Sequence, residues 1–344
     1  MVVFVASTTG DTAAAQGWIG GVIHFDTVAA PSLKGNLLGD SDRRAVSIYV
    51  PPGYAKNPRK RYPVVYLLHG FAADHRAFIG GVYTGMNMRV SMDSLILAGL
   101  IKPMIVVTPN ARNAFDGSFY VNSLTTGNWE NFVVKDLTSY LDAHYRTIGN
   151  RSGRGLAGHS MGGFGALRVG MRHAETFSAV YALSPCCLGQ DHRTGKTFAA
   201  SWKKILGLTQ FSQIKEAGFY GDIDLALSGV YAPNPRNSPF FVDLPFSLEG
   251  DSLVSVDAVA SRWHPTPIEM IPTYAKNLKR MSIAFDGGAE DGLADIPLNV
   301  MKLDSLLTAL GVAHKSDVYH GDHMRGIRGR LESQTLPFFS RVLH

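Results

Sequence analysis

Residues 154–165 read RGLAGHSMGGFG, with glycines crowding a single serine. Glycine weakens both helix and strand by about 0.5–1 kcal/mol relative to alanine. Such a density therefore marks either an ordinary turn or a serine held up for chemistry. Gly158-His159-Ser160-Met161-Gly162 fits G-x-S-x-G, a weak pattern by itself in a chain with 36 glycines. Its surroundings strengthen it: RGLAG leads in as an apolar strand, and FGALRVGMRHA leads out with helical spacing. Strand, tight turn and helix make a nucleophile elbow, which lifts a serine onto a strained corner at the carboxyl end of a sheet. The flanking residues must be small where strand and helix approach.

Outward from this corner, AVSIYVPPGY (45–54) alternates like a strand and stops at its proline pair. YPVVYLLHG (62–70) is a nearly continuous apolar run ending in glycine, the pattern of a buried parallel strand. PMIVVTPNA (103–111), FSAVYALSP (177–185), MSIAFDGG (281–288) and KSDVYHGDH (315–323) repeat the strand-into-loop form. Helical spacings lie between them: SMDSLILAGLI (91–101) with a serine to cap its start, the amphipathic WENFVVKDLTSYLDAHY (129–145), and LNVMKLDSLLTALG (298–311), which ends at glycine. Strands alternating with helices predict an α/β fold, a mostly parallel central sheet with helices on both faces. Residues 1–34 are expected to form an N-terminal extension to a catalytic domain at 35–344. The stretch at about 186–280, rich in Pro, Phe, Tyr and Trp, is too long for a plain connection and predicts an inserted, partly helical cap.

A serine hydroxyl needs a base, and the base needs a third group to orient it. In this architecture the acid and then the histidine follow the serine, each on a loop after a later strand. His323 in YHGDH fits the base, because the small Gly321 and Asp322 carry it into the loop; its competitor His320 is expected at the strand's end. DGGAEDGLAD offers Asp286, Glu290, Asp291 and Asp295 as the acid. Asp286 lies so near the strand that a structural role is expected, whereas Asp291 can reach back to an imidazole. A tetrahedral oxyanion needs preorganised N–H donors. Met161, first in its helix, offers one at the positive end of the dipole, and Phe71, in the LLHGFAADH loop, offers the other. His159, with Asn122 and Trp129 in SFYVNSLTTGNWE (118–130), are the candidate substrate contacts. The cap aromatics Phe219, Tyr220, Tyr231, Phe240, Phe241, Phe246 and Trp263 either line an acyl or aryl pocket or pack the cap, and packing is the default for any one of them.

The chain has 344 residues, 45% of them hydrophobic and 18% charged, a balance that builds a core and excludes wholesale disorder. Its charge of +5 is spread out, densest at RSGR (151–154) and GIRGR (326–330), and reads as solvated surface, not as the long basic stripe of a nucleic-acid binder. No apolar run approaches the roughly 18 residues that span a membrane. AAAQ, near the N-terminus, resembles the small-residue end of an export signal, which would make the protein secreted or periplasmic; otherwise it reads as cytoplasmic. The adjacent Cys186 and Cys187 are expected to be free thiols, with a vicinal disulfide as the rival.

YPVVYLLHGFAADH, IKPMIVVTPNA, WENFVVKDLTSYLDAHYR, GHSMGGFGAL, FDGGAED and GDHMRG, in this order, resemble the esterase D-type family of α/β-hydrolases. That group includes feruloyl and acetyl-xylan esterases, S-formylglutathione hydrolases and the mycolyltransferase antigens. The resemblance runs from about residue 35 to the C-terminus and is strongest outside the cap. It implies an α/β-hydrolase fold and a serine carboxylesterase acting on short-chain acyl or aryl, feruloyl-like esters, small molecules handled without metal or organic cofactor. It also implies Ser160 as nucleophile, Asp291 as acid, His323 as base, and Phe71 and Met161 as oxyanion donors, favouring Asp291 over Asp286. The rival readings are acyl transfer by the same residues and a non-catalytic binding module. Candidates for nucleophile, base and acid are all present, which argues against the second.

Overall fold

The computed structural model describes residues 20–81, 83, 85–189, 195–293 and 295–344, with no side chain described at 195–197; the export-signal expectation lies outside the described residues. In chain order the strands are β1 (Val22–Ala29), β2 (Arg43–Val50), β3 (Val64–Leu68), β4 (Ile105–Pro109), β5 (Asn122–Ser123), β6 (Gly127–Asn128), β7 (Arg154–His159), β8 (Ala179–Leu183), β9 (Phe246–Glu249), β10 (Ser252–Ser255), β11 (Ser282–Gly288) and β12 (Lys315–Tyr319). The helices are α1 (Met88–Leu97), α2 (Trp129–Asn131), α3 (Thr138–His144), α4 (Met161–Arg172), α5 (Gly195–Leu206), α6 (Gly218–Tyr231), α7 (Asp257–Ala260), α8 (Pro267–Leu278), α9 (Asp295–Ala309), α10 (Ile327–Arg330) and α11 (Leu336–Val342).

Among the described residues eight strands form one sheet in the order β1-β2-β4-β3-β7-β8-β11-β12. β2 runs antiparallel to both β1 and β4, and the pairs from β4 to β12 are parallel. This is the mostly parallel sheet that the alternation implied, in the α/β-hydrolase arrangement that the resemblance implied. VVYLL of β3, IVVTP of β4 and AVYAL of β8 are buried at every position, as parallel strands covered on both faces must be. One apolar layer joins α4, α8 and α9 to one face; the other packs α1, α10 and α11 against the opposite face. Each buried Leu or Phe, such as Phe164 and Leu167 of α4, adds about 1.5–3 kcal/mol.

Three expected boundaries move. β1 falls inside the predicted extension, so the sheet starts at Val22; along it only Val28 is buried, and an edge strand so exposed carries no apolar alternation to read. The helix expected at 91–101 begins at Met88, because the Asn87 side chain caps it by accepting from the Val90 N–H, while Ser91 Oγ donates to Glu332. In the inserted segment α8 packs on α4 as one of the sheet's own helices, so the outlying part ends before it. The helix expected at 129–145 is present, with a π turn at Phe132–Leu137 between α2 and α3. Within the basic spots Arg154 pairs with Asp142, and Arg330 with Asp286 and Asp317, while Arg328 stays exposed beside Glu332.

The chain passes from β3 to β4 on one side and returns to β7 on the other. The connections therefore diverge above the β3–β7 pair and leave a crevice at the strands' carboxyl ends. The register Leu68↔Gly158 sets Gly70 level with Ser160 there.

Candidate active site

β7 ends at His159 and α4 begins at Met161, so Ser160 takes the whole reversal at φ 58°, ψ −119°. A non-glycine residue at such angles costs of the order of 1–3 kcal/mol and persists only where its neighbours hold it. Ser160 N–H donates to Leu183 O at 3.0 Å, and Ser160 O accepts from the N–H groups of Phe164 at 3.0 Å and Cys186 at 3.4 Å. The two motif glycines are required by space. A Cβ on Gly158 would lie 2.2 Å from Gly162 O, and one on Gly162 2.0 Å from Leu68 O. Cys186 is a buried free thiol, so it forms no vicinal disulfide with Cys187.

The loop after β3 is fixed by a histidine that the sequence reading passed over. His69 is fully buried, and its Nε2 accepts from the Ala111 N–H at 2.9 Å. The proton therefore sits on Nδ1, which donates to Gly70 O at 2.8 Å. Burial pushes its pKa down to about 4, so the ring stays neutral. Gly70 C=O and Phe71 N–H belong to one planar peptide and point in opposite directions; holding the carbonyl aims the Phe71 N–H. The next residue, Ala72, donates to Asp116 O at 2.9 Å, and a Cβ on Gly117 would strike both the Phe71 ring (2.4 Å) and Met161 Sδ (2.7 Å). The two predicted oxyanion residues are thus brought together around Gly117. As a first-turn residue, Met161 has an N–H without an intrahelical acceptor, at the positive end of the dipole.

The loops after β11 and β12 are laced to each other. Ala289 and Glu290 N–H groups donate to Tyr319 O (2.8 Å) and Gly321 O (3.1 Å), and the Glu290 carboxylate accepts from Gly321 N–H (2.5 Å) beside His320 Nδ1 (2.9 Å). This lacing brings Asp291 Oδ2 to 2.8 Å from His323 Nδ1, with the Asp291 side chain fully covered and that of His323 18% exposed. The competitors fall away: His320 is 98% exposed, and Asp286 is taken by Arg330 and by Tyr181 Oη at 2.8 Å.

His159, expected to touch substrate, has no exposed surface and acts instead on the histidine loop. Its Nε2 meets His323 O at 2.9 Å, and because a carbonyl only accepts, Nε2 carries the proton and Nδ1 accepts from Tyr83 Oη at 3.1 Å. Burial, then the neighbouring His323, pushes the His159 pKa down to about 3. The two imidazoles lie 4.7 Å apart, which ties the His323 loop to the end of β7. Trp129 is also corrected: fully buried, it donates Nε1–H to Thr126 O at 2.6 Å under the Arg44 guanidinium, and it has no face to offer a substrate. Asn122 accepts from Asn131 N–H at 3.0 Å and faces a cleft beside Arg168 and Arg172 that the Ser160, Asp291 and His323 side chains do not line.

Four of the seven aromatics of the inserted segment pack that segment on itself: Tyr231 on Trp263, Phe240 on Phe211, and Phe246 on Trp202. Phe219 and Tyr220, at the start of α6, do not. The two residues stay 53% and 46% exposed; Phe219 meets the Phe71 ring edge-on at 6.1 Å, and Tyr220 Oη reaches Gly292 O at 3.5 Å. They overhang both sides of the crevice, the Phe71 side and the Asp291 side. Lys215 clasps this segment down by pairing with Asp116 and with Asp222 at 2.7 Å. Among the described residues no group of three or more His, Cys, Asp or Glu could hold a metal ion, and no helix is long and apolar enough to cross a membrane.

A covered carboxylate on an imidazole whose loop is tied to His159, and a strained serine that follows His159 at a helix start, are the kinds of group that acyl transfer needs. A solved ferulic acid esterase structure superposes with a TM-score of 0.64, covering 94% of this chain and 99% of that one at 22% identity, which speaks for the fold. An esterase of Mycobacterium tuberculosis is 33% identical over 153 residues, 42% of this chain and 30% of the relative. An endo-1,4-beta-xylanase/feruloyl esterase of Xylanibacter ruminicola is 32% identical over 139 residues, 39% of this chain and 18% of the relative. The chain thus spans less than a third of the length of these relatives. The model of the Esterase family matches residues 41–327, most of the sequence, and the chain belongs to that family.

Proposed function

We propose that the protein is a serine carboxylesterase working through an acyl-enzyme. The observation that carries this reading is the Asp291–His323 pair at 2.8 Å, held against the elbow by the His159 bond to His323 O. His323 Nε2 takes the Ser160 hydroxyl proton as Oγ bonds to the ester carbonyl carbon, and the oxygen that becomes anionic is received by the Phe71 and Met161 N–H groups. As the C–O bond to the alcohol breaks, His323 returns the proton to the leaving oxygen. A water then gives a proton to His323 as it attacks the acyl carbon, and His323 returns that proton to Ser160 Oγ as the C–Oγ bond breaks and the acid leaves. Asp291 holds the imidazole in the tautomer with its proton on Nδ1.

We infer that the substrates are short-chain acyl or aryl esters and that the outlying segment caps the crevice. The exposed ring faces of Phe219 and Tyr220 support the aryl case, since large apolar faces at a crevice mark a ligand surface. One relative, an endo-1,4-beta-xylanase/feruloyl esterase, points the same way. The test pairs Ser160→Ala with labelling by a fluorophosphonate. The wild type is expected to label at Ser160 and to hydrolyse p-nitrophenyl acetate, and Ser160→Ala to lose at least about 10⁴-fold in kcat. Wild-type activity in that variant, or label elsewhere, refutes the reading. In a panel of p-nitrophenyl esters, methyl ferulate and acetylated xylan, Phe219→Ala is expected to lose selectivity for methyl ferulate over acetate; a transesterified product dominating with added alcohol would favour acyl transfer.

A further inference from the structure

A second cleft, of about 350 Å³, opens between β5, the outer side of α4, α8 and the C-terminal end of α6. A helix of 14 residues is about 21 Å long, so α6 reaches from Phe219 at the crevice to Tyr231 in this cleft, and the two sites are separate.

The cleft's charge originates in a buried carboxylate. Glu130, with its side chain 3% exposed, accepts from Arg168 Nη1, from Arg172 Nε at 2.9 Å and from His173 Nε2 at 2.8 Å. Burial raises its pKa, but the His173 bond and the two guanidinium charges outweigh that and hold it at about 2. Two permanent cations thus share one anion, while His173 is divided between Glu130 and Glu175. One positive charge is left over, on guanidiniums whose side chains are 13% and 35% exposed and line the cleft.

The other polar groups there also donate. Asn122 Oδ1 is occupied by the Asn131 N–H, which leaves the amide NH₂. Tyr274 Oη accepts from Arg172 Nη1 at 3.0 Å, which leaves its own proton to give. The Glu269 carboxylate near the rim is turned to His264 Nδ1 and the Thr266 N–H. Val121, Val230, Met270 and the Tyr231 ring, stacked on Trp263 at 5.7 Å, supply apolar walls. A rigid pair of guanidiniums among donors, inside apolar walls, complements a carboxylate carried on a compact apolar body.

We propose that this cleft binds an organic carboxylate of that kind, independently of the chemistry at Ser160. The probe is benzoate, with neutral benzamide as its control, followed by calorimetry and by tryptophan fluorescence through Trp263. Wild-type protein is expected to bind benzoate with a Kd of the order of 1 mM and benzamide at least about tenfold more weakly. Arg172→Gln, which keeps Arg168 on Glu130, is expected to weaken benzoate about tenfold or more. Thr273→Trp, which fills the cleft from its rim without touching Glu130, is expected to abolish binding. Circular dichroism shows that the variants are folded, and no readout depends on ester hydrolysis. Equal binding of benzamide, binding that survives Thr273→Trp as it would at the Ser160 crevice, or no saturable binding overturns the proposal.

Discussion

Gly162→Ala puts the oxyanion geometry under direct strain. The new methyl would sit 2.0 Å from Leu68 O, 2.6 Å from Leu68 C and 2.9 Å from His69 O, all backbone atoms at the end of a central strand. β3 is hydrogen-bonded on both sides, to β4 and β7, so it is the start of α4 that must retreat, by about 1 Å or more before the contact becomes tolerable. That retreat carries Met161 N–H and Ser160 away from the Phe71 N–H, which His69 keeps fixed. A misplacement of 1 Å costs about 10²-fold in rate, and losing one oxyanion donor about 10²–10³-fold. The expected outcome is a kcat on p-nitrophenyl acetate lower by about 10²–10³-fold, with KM changed only a few-fold, because the donors act on the transition state. Stability should fall by about 1–3 kcal/mol from overpacking, leaving a folded protein. Gly329→Ala is the control: it has nothing within 4 Å of its added methyl and should leave kcat unchanged. A folded Gly162→Ala with kcat within threefold of wild type would falsify the idea that this close approach sets the donors.

Two further expectations separate chemistry from support. Asp291→Asn should cut kcat by about 10³–10⁴-fold with little loss of stability. Asp286→Asn, which breaks the covered pair with Arg330, should cost about 3–5 kcal/mol in urea unfolding while the rate of the folded enzyme stays close to wild type; reversed results would move the acid to Asp286. The neutral histidines predict a pH dependence of stability. His69 and His159 have folded pKa values of about 4 and about 3, below the unfolded value of about 6.5. Their stabilising contribution is therefore complete above pH 6.5. It declines as the pH falls towards 4, because only the unfolded chain takes up the protons, at up to about 1.4 kcal/mol per pH unit for each ring. Urea midpoints that stay flat between pH 7.5 and 5 contradict the buried neutral assignment.

Much of this architecture is written in neighbouring residues. The unbroken apolar runs of β3, β4 and β8, and the glycines around Ser160, report a covered parallel sheet and a tight corner, because burial on both faces and close backbone approach each restrict residue type locally. The order serine, acid, histidine is likewise legible from which strands precede which loops. The tertiary structure decided which polar group meets which. Asp286, inside β11, and Asp291, in the loop after it, stand five residues apart, yet Arg330 claims one and His323 the other, through contacts 44 and 32 residues away in the chain. His159 and Trp129 carry no local sign that they are enclosed, so residue type alone offered them as ligand contacts; packing made the first a brace for His323 and the second part of the core. The aromatics of the inserted segment divide for the same reason. Phe219 and Tyr220 differ from Phe240 and Trp263 in what the fold brings opposite them, and composition does not record that.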